Sequence, residues 1–162
     1  MRIYLDMCCY NRQFDEKNSE KIILEADAIM HVRNEIRNKN LELATSFILH
    51  YENNKKINQD MNIAIEKFFK INSKIYIGVE FADELKILVE KIIQTGIKMN
   101  DAYHVASAIL ADCDYFLTVD YRLLKYHNDK IKIVNPIDFV EILRGEKNVE
   151  RQRNYDARNE NS

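Results

Sequence analysis

The chain has 162 residues, of which 46% are hydrophobic and 31% are charged, and this composition predicts one globular domain with a core that needs no disulfides. The net charge of −2 excludes a global basic field, so a nucleic-acid partner would have to be held by a local patch or through metal ions. Three cysteines, no apolar leader and no run of about 18 apolar residues predict a reduced, cytoplasmic protein without a membrane span.

The apolar pattern alternates between the periods of strands and helices through the first half of the chain. Residues 3–5 form a short apolar run that predicts a first strand, and apolar residues at helical spacing over 22–36 predict a helix. The stretch "LELATSF" predicts a second strand that passes into a helix carrying Glu52. A further helical pattern covers residues 57–69.

The second half of the chain repeats this alternation. "KIYIGV" predicts a strand, and the apolar stripe over 81–93 predicts a helix that ends near Gly96. "DAYHVASAILA" predicts a helix whose small residues suit close packing against a sheet. The remaining elements are a strand at "DYFLTV", a helical turn at "YRLLKYH", a strand at "KIKIV" and a closing helix with Pro136 in its first turn.

Strands that alternate with helices are typical of βαβ units. We therefore expect a single-domain, three-layer α/β/α fold with a central parallel sheet. Gly145 ends the periodic pattern, and the residues beyond it are rich in charge and poor in apolar side chains. The sequence predicts a domain over residues 1–145 and a charged, disordered tail over 146–162.

Four acidic residues are placed where they can meet at one end of this sheet. Ligands of open α/β sheets bind beyond the carboxyl ends of the strands. Asp6 ends the first strand, and Asp120 follows the strand "DYFLTV". Glu52 lies about two helical turns beyond the second strand, and Asp101 opens the helix that leads to "DYFLTV". The four side chains are therefore expected to converge.

Carboxylates that are held together repel one another, and a divalent cation removes that penalty. Oxygen ligands suit Mg²⁺ or Mn²⁺, which keep several waters and bind phosphate oxygens through their open positions. Such ions polarise a phosphodiester, activate an attacking water and stabilise the leaving oxygen. The sequence has no His/Cys spacing typical of zinc, so we interpret Asp6 as a ligand for Mg²⁺ or Mn²⁺.

Each acid also has a simpler interpretation. Asp6 and Asp120 could each cap a helix, as aspartate commonly does. Asn100 or Asp101 could cap the helix that they open. Glu52 could be a solvated acid on a helix surface. The combination of four acids at one sheet end favours a metal site over these alternatives.

These segments together resemble the PIN domain, and in particular the VapC-type toxin ribonucleases of toxin–antitoxin pairs. The resemblance covers residues 1–144 and depends on "IYLD", "TSFILHYE", "NDAYHVASAILADCDYFLTVD" and "IKIVNPIDFV". Its most specific part is the block D-A-x-H-x-A-x-A, which is followed by a strand and T-x-D. Thr118 matches a hydroxyl position beside the last acid. The metal-binding acids of the family would fall on Asp6, Glu52, Asp101 and Asp120.

The resemblance implies a PIN-like fold and a Mg²⁺- or Mn²⁺-dependent endoribonuclease. Such an enzyme hydrolyses RNA through a metal-activated water and leaves a 5′-phosphate and a 3′-hydroxyl. Toxin members are usually homodimers, and an antitoxin silences them by placing a basic side chain in the acidic pocket. We therefore expect an RNA substrate, a homodimer and an antitoxin partner.

The sequence departs from the family pattern directly after its first acid. Many members have a small hydroxyl residue or Asn there, whereas this chain has Met7, Cys8 and Cys9. Asn11 is a candidate for a residue that supports Asp6. The alternative, that Asn11 is only a turn residue, has at least equal weight. The departure motivates a second hypothesis, a catalytically silent PIN-like module that binds RNA or a protein partner.

Other residues near the acids have weaker signals. His104 is expected to pack in the core rather than to bind metal. A phosphatase is disfavoured, because Asp6 is not followed by the second acid of a D-x-D pair. Basic residues usually only solvate a surface, but four of them flank the acids and are candidate contacts to RNA phosphates. These four are Arg12, Lys55, Lys56 and Arg122.

Overall fold

The structure of the protein, a computed structural model, describes residues 1–160. Within these residues, five strands form one parallel sheet: β1 (Arg2–Leu5), β2 (Glu42–Ser46), β3 (Ser73–Ile77), β4 (Tyr115–Leu117) and β5 (Lys132–Val134). Their order across the sheet is β3-β2-β1-β4-β5. Helices flank the sheet, which confirms the predicted three-layer α/β/α fold.

In the part of the chain that the structure describes, eight α-helices connect and cover the strands. Short 3₁₀ turns precede α2 and α5. The helices are α1 (Met7–Asn11), α2 (Glu20–Arg37), α3 (Phe47–Asn54), α4 (Gln59–Asn72), α5 (Ala82–Ile93), α6 (Met99–Leu110), α7 (Tyr121–Leu124) and α8 (Pro136–Glu160). Within residues 1–160, no helix combines the length and the apolar character that crossing a bilayer requires.

The central strand β1 lies in the middle of the core. Its residues Ile3, Tyr4 and Leu5 are fully buried, as expected for a strand of a parallel sheet that is covered on both faces. Tyr4 is paired with Ala44 of β2 and with Phe116 of β4, and the Tyr4 and Phe116 rings stack with their centroids 5.4 Å apart. Burial of these apolar side chains fixes the register of the strands that carry the site.

The strand order reverses direction between β1 and β4. From β1 the chain builds outward through β2 and β3, and it then returns to add β4 and β5 on the opposite side of β1. The carboxyl ends of β1 and β4 therefore lie side by side at a topological switch point. Open α/β sheets bind ligands in the crevice at this point.

Two elements differ from the sequence-based expectation. Helix α1, which begins directly after Asp6, was not predicted, because five residues are too few to show a helical period. Ile57 precedes α4 instead of lying within it, and it is 98% exposed.

The C-terminal segment also differs from the prediction of a disordered tail. Helix α8 passes through Gly145 and continues to Glu160, although every residue from 144 to 160 is exposed. Glycine permits a helix end but does not require one, and Lys147 donates to Glu35 of α2 at 3.0 Å. Gln152 and Asp156, one helical turn apart, are hydrogen-bonded at 2.8 Å. The last two residues of the predicted tail, 161 and 162, lie outside the described residues.

Candidate active site

The first acid lies where β1 ends beside β4. The backbone N–H of Asp6 donates to the carbonyl of Leu117 at 2.9 Å, which extends the ladder between the two strands by one residue. Asp120 follows Leu117 by three residues. Because both strands are parallel, Asp6 and Asp120 emerge at the same edge of the sheet.

Asp6 is 6% exposed, and three donors hold its carboxylate. Its Oδ1 accepts a hydrogen bond from the backbone N–H of Met7 at 2.8 Å, so Asp6 does cap α1. Its Oδ2 accepts from the Thr118 hydroxyl at 2.8 Å and from the Cys8 thiol at 3.3 Å. Capping uses one oxygen, and the other remains directed toward the end of β4.

Thr118 joins the two strand ends. While its hydroxyl donates to Asp6, the same oxygen accepts from the backbone N–H of Asp120 at 3.0 Å. Asp120 in turn caps α7, because its Oδ1 accepts from the backbone N–H of Arg122 at 2.8 Å. The buried Thr118 hydroxyl therefore fixes the position of one acid directly and of the other through its backbone.

The carboxylates of Glu52 and Asp6 both lie near the imidazole of His104. The imidazole of His104 is buried on α6, and its Nε2 lies 3.0 Å from Glu52 Oε2 and 3.9 Å from Asp6 Oδ1. Its Nδ1 is 2.8 Å from the hydroxyl of Tyr4, which also bonds to Ser46. The core position that we expected for His104 is what the structure has, but the contact with two acids was not foreseen.

Burial and the neighbouring acids have opposite effects on the pKa of His104. Burial by itself lowers the pKa of an imidazole, because it disfavours the cation. The contact with Glu52 and the negative charges of Asp6 and Asp101 oppose this effect, and the net result is a raised pKa for His104. The neighbouring acids thus make His104 easier to protonate than a free imidazole.

The pKa of Asp101 is affected by all three other acids. It is the third residue of α6, and Lys98 occupies the N-cap position, so neither Asp101 nor Asn100 caps this helix. Burial raises the pKa of Asp101, and the negative charges of Asp6, Asp120 and Glu52 raise it further against the opposing effect of His104. The four predicted acids therefore act on one another electrostatically, and we call them the acid cluster.

The acid cluster has the donor chemistry for a hard divalent cation. Carboxylate oxygens are the preferred ligands of Mg²⁺ and Mn²⁺, and a dication would offset the repulsion that raises the pKa of Asp101. In the arrangement described for residues 1–160, however, no three His, Cys, Asp or Glu side chains are already placed to share one ion.

The predicted supporting residue Asn11 has a different partner. Its Oδ1 accepts a hydrogen bond from the ammonium group of Lys56, which also lies 3.3 Å from the sulfur of Met7. Asp6 is supported instead by the Thr118 hydroxyl and the Cys8 thiol, which both donate to its Oδ2. The structure thus associates Asn11 with Lys56 rather than with Asp6.

The candidate RNA-binding cations occupy different surroundings. The Arg12 guanidinium lies 2.8 Å from Asp15 and 3.7 Å from the buried Glu25, which indicates a structural role. Burial lowers the pKa of Lys56, while the charges of Glu52 and Glu66 oppose the change, so this lysine is close to the acid cluster. The other two candidates, Lys55 and Arg122, are exposed.

The sequence matches no protein-family model and no curated protein sequence. Two solved structures are similar to this fold. VapBC2 from Rickettsia felis, bound to a DNA fragment from their promoter, superposes with a TM-score of 0.52 at 18% identity, over 83% of this chain and 98% of the matched chain. FitAcB from Neisseria gonorrhoeae has a TM-score of 0.50 at 14% identity, over 83% and 97% of the respective chains. Both are PIN-domain toxin–antitoxin systems.

Proposed function

We propose that this chain, which has the fold of the PIN-domain toxins, is a metal-dependent endoribonuclease and the toxin of a toxin–antitoxin pair. The observation that carries the proposal is the acid cluster at the switch point of the sheet. Asp6 and Asp120 are linked there through Thr118, and the charges of both raise the pKa of Asp101. Several carboxylates at a partly buried site reduce the stability of the fold, because their charges repel one another. Binding of a cation by these carboxylates would explain why they lie together.

In this proposal Asp6, Glu52, Asp101 and Asp120 hold Mg²⁺ or Mn²⁺. The bound ion supplies Lewis-acid activation of the phosphodiester and of the attacking water. Thr118 holds Asp6 in place, and the positive charge of Lys56, which interacts with the charge of Glu52, would attract a phosphate that enters the site. Water adds to phosphorus and the 3′ oxygen leaves, so the products carry a 5′-phosphate and a 3′-hydroxyl.

Cleavage of single-stranded RNA in Mg²⁺ or Mn²⁺ by the wild type and by Asp6→Asn tests the proposed activity. The side-chain oxygen of asparagine can still accept from the Met7 N–H, so the cap is kept, but the negative charge is lost. We expect divalent-dependent cleavage by the wild type and its loss in the variant. Equal residual cleavage by the two proteins would reject the assignment.

The proposed partners are an antitoxin and a second copy of this chain. An antitoxin that presents a basic side chain would find a complementary charge at the acid cluster. Co-expression with the product of the adjacent reading frame, followed by purification and light scattering, tests both partners. A homodimeric toxin inhibited by a short basic neighbour is expected, whereas a monomer that is insensitive to this neighbour would contradict the proposal.

A second candidate function is a catalytically silent PIN-like module that binds RNA or protein. The observation that favours it is that no three potential ligands within residues 1–160 are already placed to share an ion. Calorimetry with Mn²⁺ separates the two candidates. Binding that disappears in Asp6→Asn supports the nuclease, and the absence of binding by the wild type supports the silent module.

A further inference from the structure

A groove of about 430 Å³ lies between α3, α4 and the edge strand β3, and this volume is within the range of small-ligand sites. We call it the His50 groove. It is distinct from the acid cluster, since the two share no lining residue. The lining of the His50 groove includes His50, Phe69, Lys70, Ser73, Lys74 and Tyr76.

The imidazole of His50 is held in a fixed orientation. Its Nδ1 lies 2.6 Å from Glu66 Oε2, and the other oxygen of Glu66 accepts from the buried amide of Asn53 at 3.0 Å. The ring also meets Phe69 and Tyr76 edge-on, with centroids 5.1 Å and 5.6 Å away. Because Glu66 engages Nδ1, Nε2 is the ring nitrogen available to a ligand.

The rim of the His50 groove combines positive charge with an exposed aromatic ring. Lys70 and Lys74 are both exposed, and Tyr76 is 48% exposed on an edge strand. The carboxylates that act on Tyr76 are Glu80 and Glu66, and the second of these is already paired with His50. Cations beside an aromatic surface are the arrangement that binds single-stranded nucleic acid without base selectivity.

The His50 groove and the acid cluster flank the same helix. Successive residues of a helix are rotated by about 100°, so Tyr51 projects between His50 on one side of α3 and Glu52 on the other. Tyr51 is 49% exposed, and the ammonium group of Lys55 lies 4.0 Å from the centroid of its ring. An aromatic and cationic ridge therefore connects the two sites.

We propose that the His50 groove is a nucleotide subsite for the single-stranded RNA that the acid cluster cleaves. The base stacks on Tyr76, and the phosphate is held by Lys70 and Lys74. The RNA then crosses α3 over Tyr51 and Lys55 to reach Glu52. This inference rests on the proposed function only where it identifies the bound strand as the RNA that is cleaved. The groove and its charges are independent of that function.

The test measures binding of a fluorescent single-stranded oligoribonucleotide by anisotropy, in EDTA so that no cleavage occurs. Tyr76→Leu is expected to raise the Kd about tenfold through loss of stacking, while Tyr76→Phe keeps the wild-type Kd. Lys70→Gln with Lys74→Gln is expected to reduce the slope of log Kd against log salt by about 1.4, at about 0.7 per phosphate contact. Lys67→Gln is the matched control, because Lys67 is also exposed on α4 but does not line the groove.

A change in salt slope in Lys67→Gln as large as that in Lys70→Gln with Lys74→Gln, or an unchanged Kd in Tyr76→Leu, would overturn the subsite, and the groove would then be assigned to a protein partner. Each variant is first compared with the wild type in thermal unfolding, so that a folding defect is recognised. The proposed nuclease can fail separately. RNA binding that depends on Tyr76, in a protein that neither binds Mn²⁺ nor cleaves RNA, would retain the subsite and reject the enzyme.

Discussion

The acid cluster and the His50 groove lie on opposite sides of α3, and they handle charge in opposite ways. In the acid cluster, burial and the charges of three neighbouring carboxylates raise the pKa of Asp101, and the imidazole of His104 lies beside Glu52 and Asp6. In the His50 groove the Glu66 carboxylate is paired with His50, and two exposed lysines are added at the rim. The first site therefore attracts cations and the second attracts anions.

This difference separates the two tasks of a nuclease. A site that repels phosphate by its own charge becomes suitable for phosphate chemistry once a dication is bound. A site whose carboxylate is already hydrogen-bonded and whose rim carries two lysines can hold the strand without a metal. Variants of the acid cluster should therefore change metal binding and cleavage, and variants of the groove should change RNA affinity alone.

The largest effect is expected from Asp120→Asn. Asparagine keeps the cap of α7 through its amide oxygen but lacks the charge that a metal ligand needs. Cleavage of single-stranded RNA should fall by at least about 100-fold. Changing a residue that only hydrogen-bonds to a metal ligand costs up to about 100-fold, and Asp120 is proposed as a ligand itself. The melting temperature without divalent ions should not fall below the wild-type value, because the cap is kept and the repulsion of Asp101 is reduced.

The matched control is Asp138→Asn, which changes an exposed acid in the first turn of α8. This variant should cleave RNA as the wild type does. Full activity in Asp120→Asn would show that Asp120 serves only as a helix cap, and it would remove one of the four proposed ligands.

The next largest effect is expected from Thr118→Val, which replaces a buried hydroxyl by a methyl group of similar size. Asp6 Oδ2 loses its 2.8 Å donor, and the Asp120 N–H loses its acceptor. We expect metal affinity, measured by calorimetry with Mn²⁺, to fall by about 10-fold to 100-fold. Thr118→Ser keeps the hydroxyl and should retain most of the affinity. If Thr118→Val bound Mn²⁺ like the wild type, the link between the two acids would be irrelevant to the site.

A smaller effect is expected on the ridge that connects the two sites. Tyr51→Leu removes an exposed ring between His50 and Glu52, and the RNA Kd in EDTA should rise about fivefold, near the lower limit for one stacked base. Tyr155→Leu on α8 is the control, because Tyr155 is 63% exposed but lies far along the chain from α3. Equal changes in the two variants would indicate nonspecific loss of aromatic surface rather than a path across α3.

The smallest effect is a pH dependence of stability in the metal-free protein. The raised pKa of Asp101 means that the folded state binds this proton more tightly than the unfolded state. The stability that the proton contributes is full below the ordinary aspartate pKa of about 3.9 and is lost as pH rises through the raised value. The loss should be under about 1 kcal/mol, because Asp101 is only partly buried and solvent screens its charge.

Urea unfolding at a series of pH values measures this loss, with Asp101→Asn as the test variant. The variant should lack this part of the pH dependence. Asp27→Asn, an exposed acid on α2, should keep it. An identical pH profile for Asp101→Asn and the wild type would mean that the acids do not act on one another as the structure indicates.

The sequence was informative where a local pattern determines the structure. The apolar run of β1 and the small-residue pattern of α6 predicted buried elements, because burial follows directly from side-chain type. The placement of Asp6 at a strand end followed from the same run. Helix α1 was missed because its start depends on a cap and on tertiary packing rather than on a period.

Contacts between distant segments could not be predicted in the same way. The roles of Cys8 beside Asp6 and of Asn11 beside Lys56 depend on how α1 packs against its neighbours. The His50 groove has no motif, because the pairing of His50 with Glu66 depends on the packing of α3 against α4. A spacing of 16 residues between two polar side chains gives no signal in a sequence.

The most direct test of the central claim is a crystal structure of the protein grown with Mn²⁺ and examined by anomalous scattering. The account predicts one anomalous peak, or two neighbouring peaks, bounded by the carboxylates of Asp6, Asp101 and Asp120. Crystals that bind Mn²⁺ only elsewhere on the protein, with these three carboxylates turned away from one another, would contradict it.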